Sequence, residues 1–237
     1  MNPLALSVAA MSDGEVHICA VPVLTNGYSR PNSLANIFSY ERDTECGNVN
    51  GDGQTKPYEI KTEEDLAAIN NAEKCLKASY KLMNDISLTS PNWTPIGQES
   101  NEFKGGFDGQ GFLISDLSIN EPTLENVGFF GKTIGATIEN LRVEGPLVYG
   151  LRKVGGLVGL AFGGTKIRNC EADIHIETPE AEGPAGGLVG WLWDNSEISN
   201  SSSNGSVTGG KQLGGLAGRT HTSLVSSSSS RAHVFSI

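Results

Sequence analysis

Four stretches of this chain repeat one arrangement of apolar and glycine positions: VGFFG ending at Gly131, VGGLVG at Gly159, AGGLVG at Gly190 and LGGLAG at Gly218. The closing glycines are 28, 31 and 28 residues apart. Each is followed, six to eight residues on, by a second apolar anchor that opens at Ile138, Ile167, Ile198 or Leu224. The clearest copy reads Ile138, Leu141, Val143, with Leu141 and Val143 alternating as one face of a strand does. Ile114 opens a degenerate earlier copy, ISDLSI. The shared slot predicts that Ile138, Leu141, Val143, Ile167, Cys170 and Ile198 point inward and stack from repeat to repeat.

A period of 28–31 residues suits two kinds of repeat, paired helices or a strand coil. Helix pairs need long uninterrupted amphipathic segments, and an interior glycine costs about 1 kcal/mol against alanine. Glycine recurs every few residues here, so the pattern predicts an all-β parallel solenoid whose coils stack about 4.8 Å apart. The paired glycines are expected to supply positive φ and close backbone approach. One helix is predicted, over about 62–71. Thr62 is a good N-cap, Asp65 sits three residues on, and Glu63 and Glu64 favour the positive helix start. Packed across the open first coil, it would cap the solenoid. Residues 1–56 form an unassigned extension, 57–237 the solenoid, and about 107–237 its repeat coils.

YEIKTEEDLAAIN from Tyr58, YKLMNDISL from Tyr80, NWTPIG from Asn92, FKGGFDGQGFLISDLSI from Phe103 and the GGLVG repeats stand in one order. From about Pro57 onward the chain resembles the GLUG-motif proteins. The resemblance implies a right-handed parallel β-helix on the outside of bacteria, of the kind found in adhesins and in the N-terminal regions of immunoglobulin A peptidases.

Charge narrows the partners. The chain has 237 residues, 17 basic and 27 acidic, for a net charge of −10. That balance argues against a grip on nucleic acid. Apolar runs are too short for a transmembrane helix. The first residues, MNPLALSVAAMSDG, lack the positive region of a signal peptide, so secretion or surface display would depend on a signal outside this sequence. None of the four cysteines forms a CxxC pair. Cys46 and Cys75 bracket the predicted helix and are expected to pair, with Cys19 as competitor, while Cys170 stays a buried thiol.

The catalytic motifs are absent. A zinc peptidase needs HExxH, and none of the four histidines is followed by glutamate. No G-x-S-x-G nucleophile elbow exists. A polysaccharide lyase or glycosidase would need converging carboxylates, for which Asp108 and Asp116, with Glu139 and Arg142, are the candidates. Against this, Asp108 sits in a turn-like FDGQG, and Asp116 falls at the same recurring slot as Asn140, Asn169 and Asn200. Asn48, Asn50, Asp52, Gly53 and Glu59 fall at positions 1, 3, 5, 6 and 12 of a calcium loop, although position 1 is Asn and Pro57 interrupts it. The competing reading is a Gly/Asn-rich linker. Trp191 and Trp193 share one side of a strand, as a sugar platform would or as closure of the coil's inner face.

Two function classes follow. One is a non-catalytic extracellular adhesin-like binding or scaffold segment, with a host or matrix protein or a glycan as ligand. The other is a carbohydrate-active enzyme on a β-helix. The inward series runs from Leu141 and Val143 through Cys170 and Ala172 and Ser201 and Ser203 to Ser227 and Ser229, losing volume at each step. The final coil is therefore expected to belong to a longer solenoid or to be covered by another chain.

Overall fold

The structure, a computed structural model, describes residues 7–10, 16–19, 45–47, 49–179 and 183–237. The chain divides into two units, residues 1–43 and 44–237. In the first, Ser7–Ala10 pairs antiparallel with Val16–Cys19. The second is a parallel β-solenoid.

Three sheets line the coils. The first stacks seven strands in parallel: Tyr58–Ile60, Ser79–Leu82, Gly106–Asp108, Thr137–Glu139, Lys166–Arg168, Glu197–Ser199 and Leu224–Ser226. The second carries the long strands Arg142–Gly155, Glu171–Glu177 and Ser202–Gly209. The third stacks Phe130–Ile134, Val158–Phe162, Val189–Trp193 and Ala217–His221. Each coil runs along the third, first and second sheets in turn, so residues one repeat apart become neighbours.

That register explains the core. Tyr58, Tyr80, Phe107, Ile138, Ile167, Ile198 and Val225 form one inward ladder. Ile86, Ile114, Val143, Ala172, Ser203 and Ser230 form a second. The six positions expected to point inward are all buried, Cys170 being the most exposed at 2%. Rings fill the early coils: Phe129 and Phe130 meet edge to face at 5.0 Å, and Trp93 stacks on Phe129 at 5.4 Å.

Three registers differ from the sequence expectation. Ile114 pairs with Val143, not with the Ile138 slot, which Phe107 fills. The apolar spacing of the anchor thus recurs on two sheets of one coil, and Asp116 lies off the Asn140 slot. In the last coil Val225, not Leu224, continues the inward ladder, and Ser228 and Ser230 replace Ser227 and Ser229. Leu-Val followed by serines carries no phase of its own, and a one-residue slip exchanges the two faces.

The paired and closing glycines of the repeats act through space and not through positive φ. A Cβ on Gly190 would stand 2.5 Å from the carbonyl carbon of Lys153, and one on Gly159 2.5 Å from the nitrogen of Val127. At the turn after each first-sheet strand positive φ falls on Asn140, Asn169, Asn200 and Ser227, at 53°, 52°, 49° and 47°. Asparagine tolerates that region because its amide bonds locally. Asn169 Nδ2 donates to Asn140 Oδ1 at 2.7 Å, and Asn140 Nδ2 to Asp108 Oδ1 at 2.9 Å.

The predicted helix forms but breaks. Helix α1 spans Glu63–Ala67 and runs into a 3₁₀ turn at Ala68–Asn70, and α2 spans Glu73–Leu76. Thr62 and Asp65 make a reciprocal capping box. The helices connect the first two strands of the first sheet and bury Leu66, Ile69, Cys75 and Leu76. Cys46 pairs with Cys75 at a Cα separation of 5.3 Å, and Cys170 is a free buried thiol.

Candidate functional site

The strand Val189–Trp193 turns Leu192 into the core and leaves Trp191 and Trp193 outside. The inner-face reading of the two indoles is therefore excluded by strand alternation. They do not lie side by side as one flat surface either. Their rings stack at 5.1 Å with planes 9° apart, so each covers a face of the other. The Arg219 guanidinium carbon sits over the Trp191 ring at 4.5 Å. Phe162 at 5.3 Å and His221 at 6.3 Å flank Trp193, which is 36% exposed. The pairings Leu160–Trp191–Arg219 and Trp193–His221 place this group on three successive coils.

Beside it lies a cleft of about 320 Å³ lined by Arg152, Lys153, Gly183, Pro184, Lys211 and Gln212 together with Trp191 and Arg219. The ladder builds it. Val154 pairs with Ala185 and Ala185 with Leu213, so the two residues preceding each form matching steps. Arg152, Gly183 and Lys211 are one step, and Lys153, Pro184 and Gln212 the next. The middle coil contributes a glycine between two long cations, which leaves a hollow. Glu125 accepts from Arg152 and, at 3.0 Å, from Lys153. Hydrogen bonds from Arg152, and then from Lys153, outweigh partial burial and hold the Glu125 carboxyl below its ordinary range. Trp191 Nε1 is buried with no hydrogen-bond partner among the described residues.

Arg219 and Lys211 were not among the sequence candidates. Arg219 follows Gly218 as Trp191 follows Gly190, so counting from the closing glycines would have found it.

The calcium-loop candidates are spent on other bonds. Asp52 closes its own turn, accepting from the backbone N–H of Gln54 and Lys56 at 2.8 Å each and from the Thr55 hydroxyl. Those bonds, the Thr55 hydroxyl foremost, hold its carboxyl far below the usual range. Asn50 donates to Glu59 at 3.2 Å, and Glu59 also faces Lys81 at 3.2 Å and Lys61 at 3.5 Å. Asn48 lies outside the described residues. The structure brings Asn50 and Glu59 together and gives Asp52 a separate turn. Among the described residues no cluster of three or more His, Cys, Asp or Glu side chains could hold a metal ion.

Of the residues weighed for catalysis, Asp108 and Glu139 are cross-strand neighbours on the first sheet, while Asp116 is held by serines of the second. Asp108 accepts from the Gln110 N–H at 2.9 Å and from Asn140, closing a turn. Asp116 accepts from Ser87 at 2.7 Å and Ser115 at 2.9 Å. Arg142 pairs with Glu144 at 3.2 Å.

Residues 150–177 and 185–208 match the GLUG motif. The chain thus carries GLUG repeats on a parallel β-helix. It is similar to halomucin of Haloquadratum walsbyi, 34% identical over 199 residues, which is 79% of this chain and 2% of halomucin. It is also similar to an immunoglobulin A1 protease of Streptococcus sanguinis, 30% identical over 65% of this chain and 8% of that protein. A crystal structure from Bacteroides ovatus that carries the name of an immunoglobulin A1 protease shares the fold. Its TM-score is 0.60 at 22% identity, over 74% of this GLUG-repeat chain and 57% of that one. The chain thus spans a small part of the relatives it matches in sequence. No helix among the described residues is long and apolar enough to cross a membrane.

Proposed function

We propose that this chain is a non-catalytic extracellular or cell-surface β-helix segment with an adhesin-like binding or scaffold role, its ligand held on the outer face of the third sheet. The observation that carries this reading is the outward group of Trp191, Trp193, Phe162, His221 and Arg219 on successive coils beside an open cleft. A solenoid that needed only to fold would put polar side chains there, because the inward residues already supply the core. The likeness to halomucin and to an immunoglobulin A1 protease supports a location outside the cell. The turn and ion-pair duties of Asp108, Asp116 and Arg142 weigh against the enzyme reading. The test is an array of matrix proteins, host proteins and glycans probed with the purified chain and with Trp193→Ala. A ligand bound by the parent and weakened in the variant is the expected result. A blank array, or binding that ignores the variant, would defeat the reading.

A further inference from the structure

We infer that the cleft between Arg152 and Lys211 is a binding site for an acidic polysaccharide, one whose sugars carry carboxylate or sulfate groups. This deepens the proposed surface-binding function and rests on it.

Charge is the first argument. The chain is strongly acidic at −10, yet this hollow gathers Arg152, Lys153, Lys211 and Arg219. Arg152 and Lys153 share the Glu125 carboxylate, on their own side of the hollow. Lys211 and Arg219 have no ion-pair partner among the described residues. Two exposed cations held across a hollow from a third, Lys153, form a local positive field in a negative surface, and such a field selects anions.

Preorganisation is the second. The guanidinium carbon of Arg219 lies over the Trp191 ring at 4.5 Å, a cation–π contact that restrains the side chain beside the cleft. A planar fork held in this way suits a carboxylate or sulfate, where two parallel hydrogen bonds form.

Shape and the neighbouring rings decide for a sugar. Gly183 leaves the cleft open between Arg152 and Lys211; a Cβ there would stand 3.1 Å from the Arg152 Cβ. Trp193, at the far side of the stacked pair, offers exposed aromatic surface beside Phe162 and His221. Pyranose rings present apolar C–H faces between their charged substituents, so a chain crossing from the cations to Trp193 meets a partner for each. An acidic peptide would match the cations but has no such alternation.

The experiment follows tryptophan fluorescence and calorimetry of the whole chain with size-matched oligosaccharides: hyaluronan, which carries carboxylates, dextran sulfate, which carries sulfates, and uncharged maltose oligomers. Oligoglutamate is the peptide control. Binding is expected for hyaluronan, dextran sulfate or both, the stronger naming the anion, and it should weaken as salt rises. Lys211→Gln and Arg219→Gln should each weaken it roughly tenfold, the worth of one charge-assisted hydrogen bond. Gly183→Asp, which sets a carboxylate in the hollow, should abolish it while circular dichroism stays that of the parent. Equal affinity for the maltose oligomers, tighter binding of oligoglutamate, no binding of either acidic glycan, or affinities unmoved by all three variants would overturn the inference. If the array still returns a ligand that depends on Trp193, the surface-binding function stands and only the acidic-glycan assignment falls.

Discussion

Leu141, Cys170, Ser201 and Ser228 occupy one inward slot in four successive coils, and the last three use their side chains in the same way. Cys170 Sγ donates to the Arg168 carbonyl at 3.2 Å, Ser201 Oγ to Ser199 at 2.8 Å and Ser228 Oγ to Ser226 at 2.7 Å. Ser201 and Ser228 also accept the N–H of the preceding coil, from Cys170 and Ser201, at 3.1 Å each. A small hydroxyl or thiol here closes the turn that positive φ at Asn169, Asn200 and Ser227 opens. The slot was legible in the sequence through Cys170, because an apolar partner stood two residues away. It was lost at Ser226–Ser230, where identical residues hide the phase. Burial pushes the Cys170 thiol up to about 12 from 9.0. The buried site disfavours the thiolate, so its contribution to stability is complete below pH 9.0 and is lost as pH rises towards about 12. Cys170→Ser should keep the turn bond and stay within about 1 kcal/mol of the parent at neutral pH. It should also lose less stability than the parent between pH 9 and 11. Urea melts of both proteins across that range check this, and parallel losses would contradict it.

At the scale of elements, the third-sheet strands owe their place to the closing glycines. A Cβ on Gly190 would stand 2.5 Å from the backbone of Lys153 and Val154 across the coil, where a side chain finds no room and a backbone neighbour cannot rotate away. Gly190→Ala should therefore separate the second and third sheets locally and cost about 1–3 kcal/mol, the usual penalty for overpacking. Gly183→Ala, whose Cβ would meet no backbone atom within 4 Å and the Arg152 Cβ at 3.1 Å, should cost less than Gly190→Ala. Thermal melts of the two variants give the comparison; equal losses would show that close approach is not what fixes the glycine. The repeats themselves announced these strands. The break between α1 and α2 was less legible, because Asn70 is fixed from outside the helix. It donates to the Pro95 carbonyl at 3.1 Å and accepts from the Gly97 N–H at 2.9 Å, contacts some 25 residues away. The cleft was hidden for a related reason. Arg219 can be counted from Gly218, but the place of Gly183 depends on a turn whose length differs between coils.

For the whole molecule, the inward ladders describe a gradient. The first-sheet series falls from Tyr58, Tyr80 and Phe107 through three isoleucines to Val225, and the second-sheet series from Ile86 and Ile114 through Val143 and Ala172 to Ser203 and Ser230. Each buried methylene lost removes roughly 0.8 kcal/mol of apolar stabilisation. Exposure follows the same course. Ile138, Ile167 and Ile198 are fully buried, whereas Val225 is 41% exposed and Phe235 54%. Hydrogen bonds are present throughout, since Ser229–Ser230 and His233–Ser236 pair in register with Ser202–Gly209. The last coil is thus held by backbone bonds over little apolar burial, the combination that opens locally at low cost. In the monomeric chain, amides from about 214 to 237 should exchange fastest within the solenoid and those around Ile138 slowest, because the early coils are braced on both sides by rings and branched side chains. A ligand or second chain that covers Val225, Val234 and Phe235 should bring the two regions closer together. Hydrogen exchange read by mass spectrometry makes the measurement directly. Equal protection of the two regions in a monomer would mean that backbone pairing alone sets local stability here and that the core gradient has no energetic consequence.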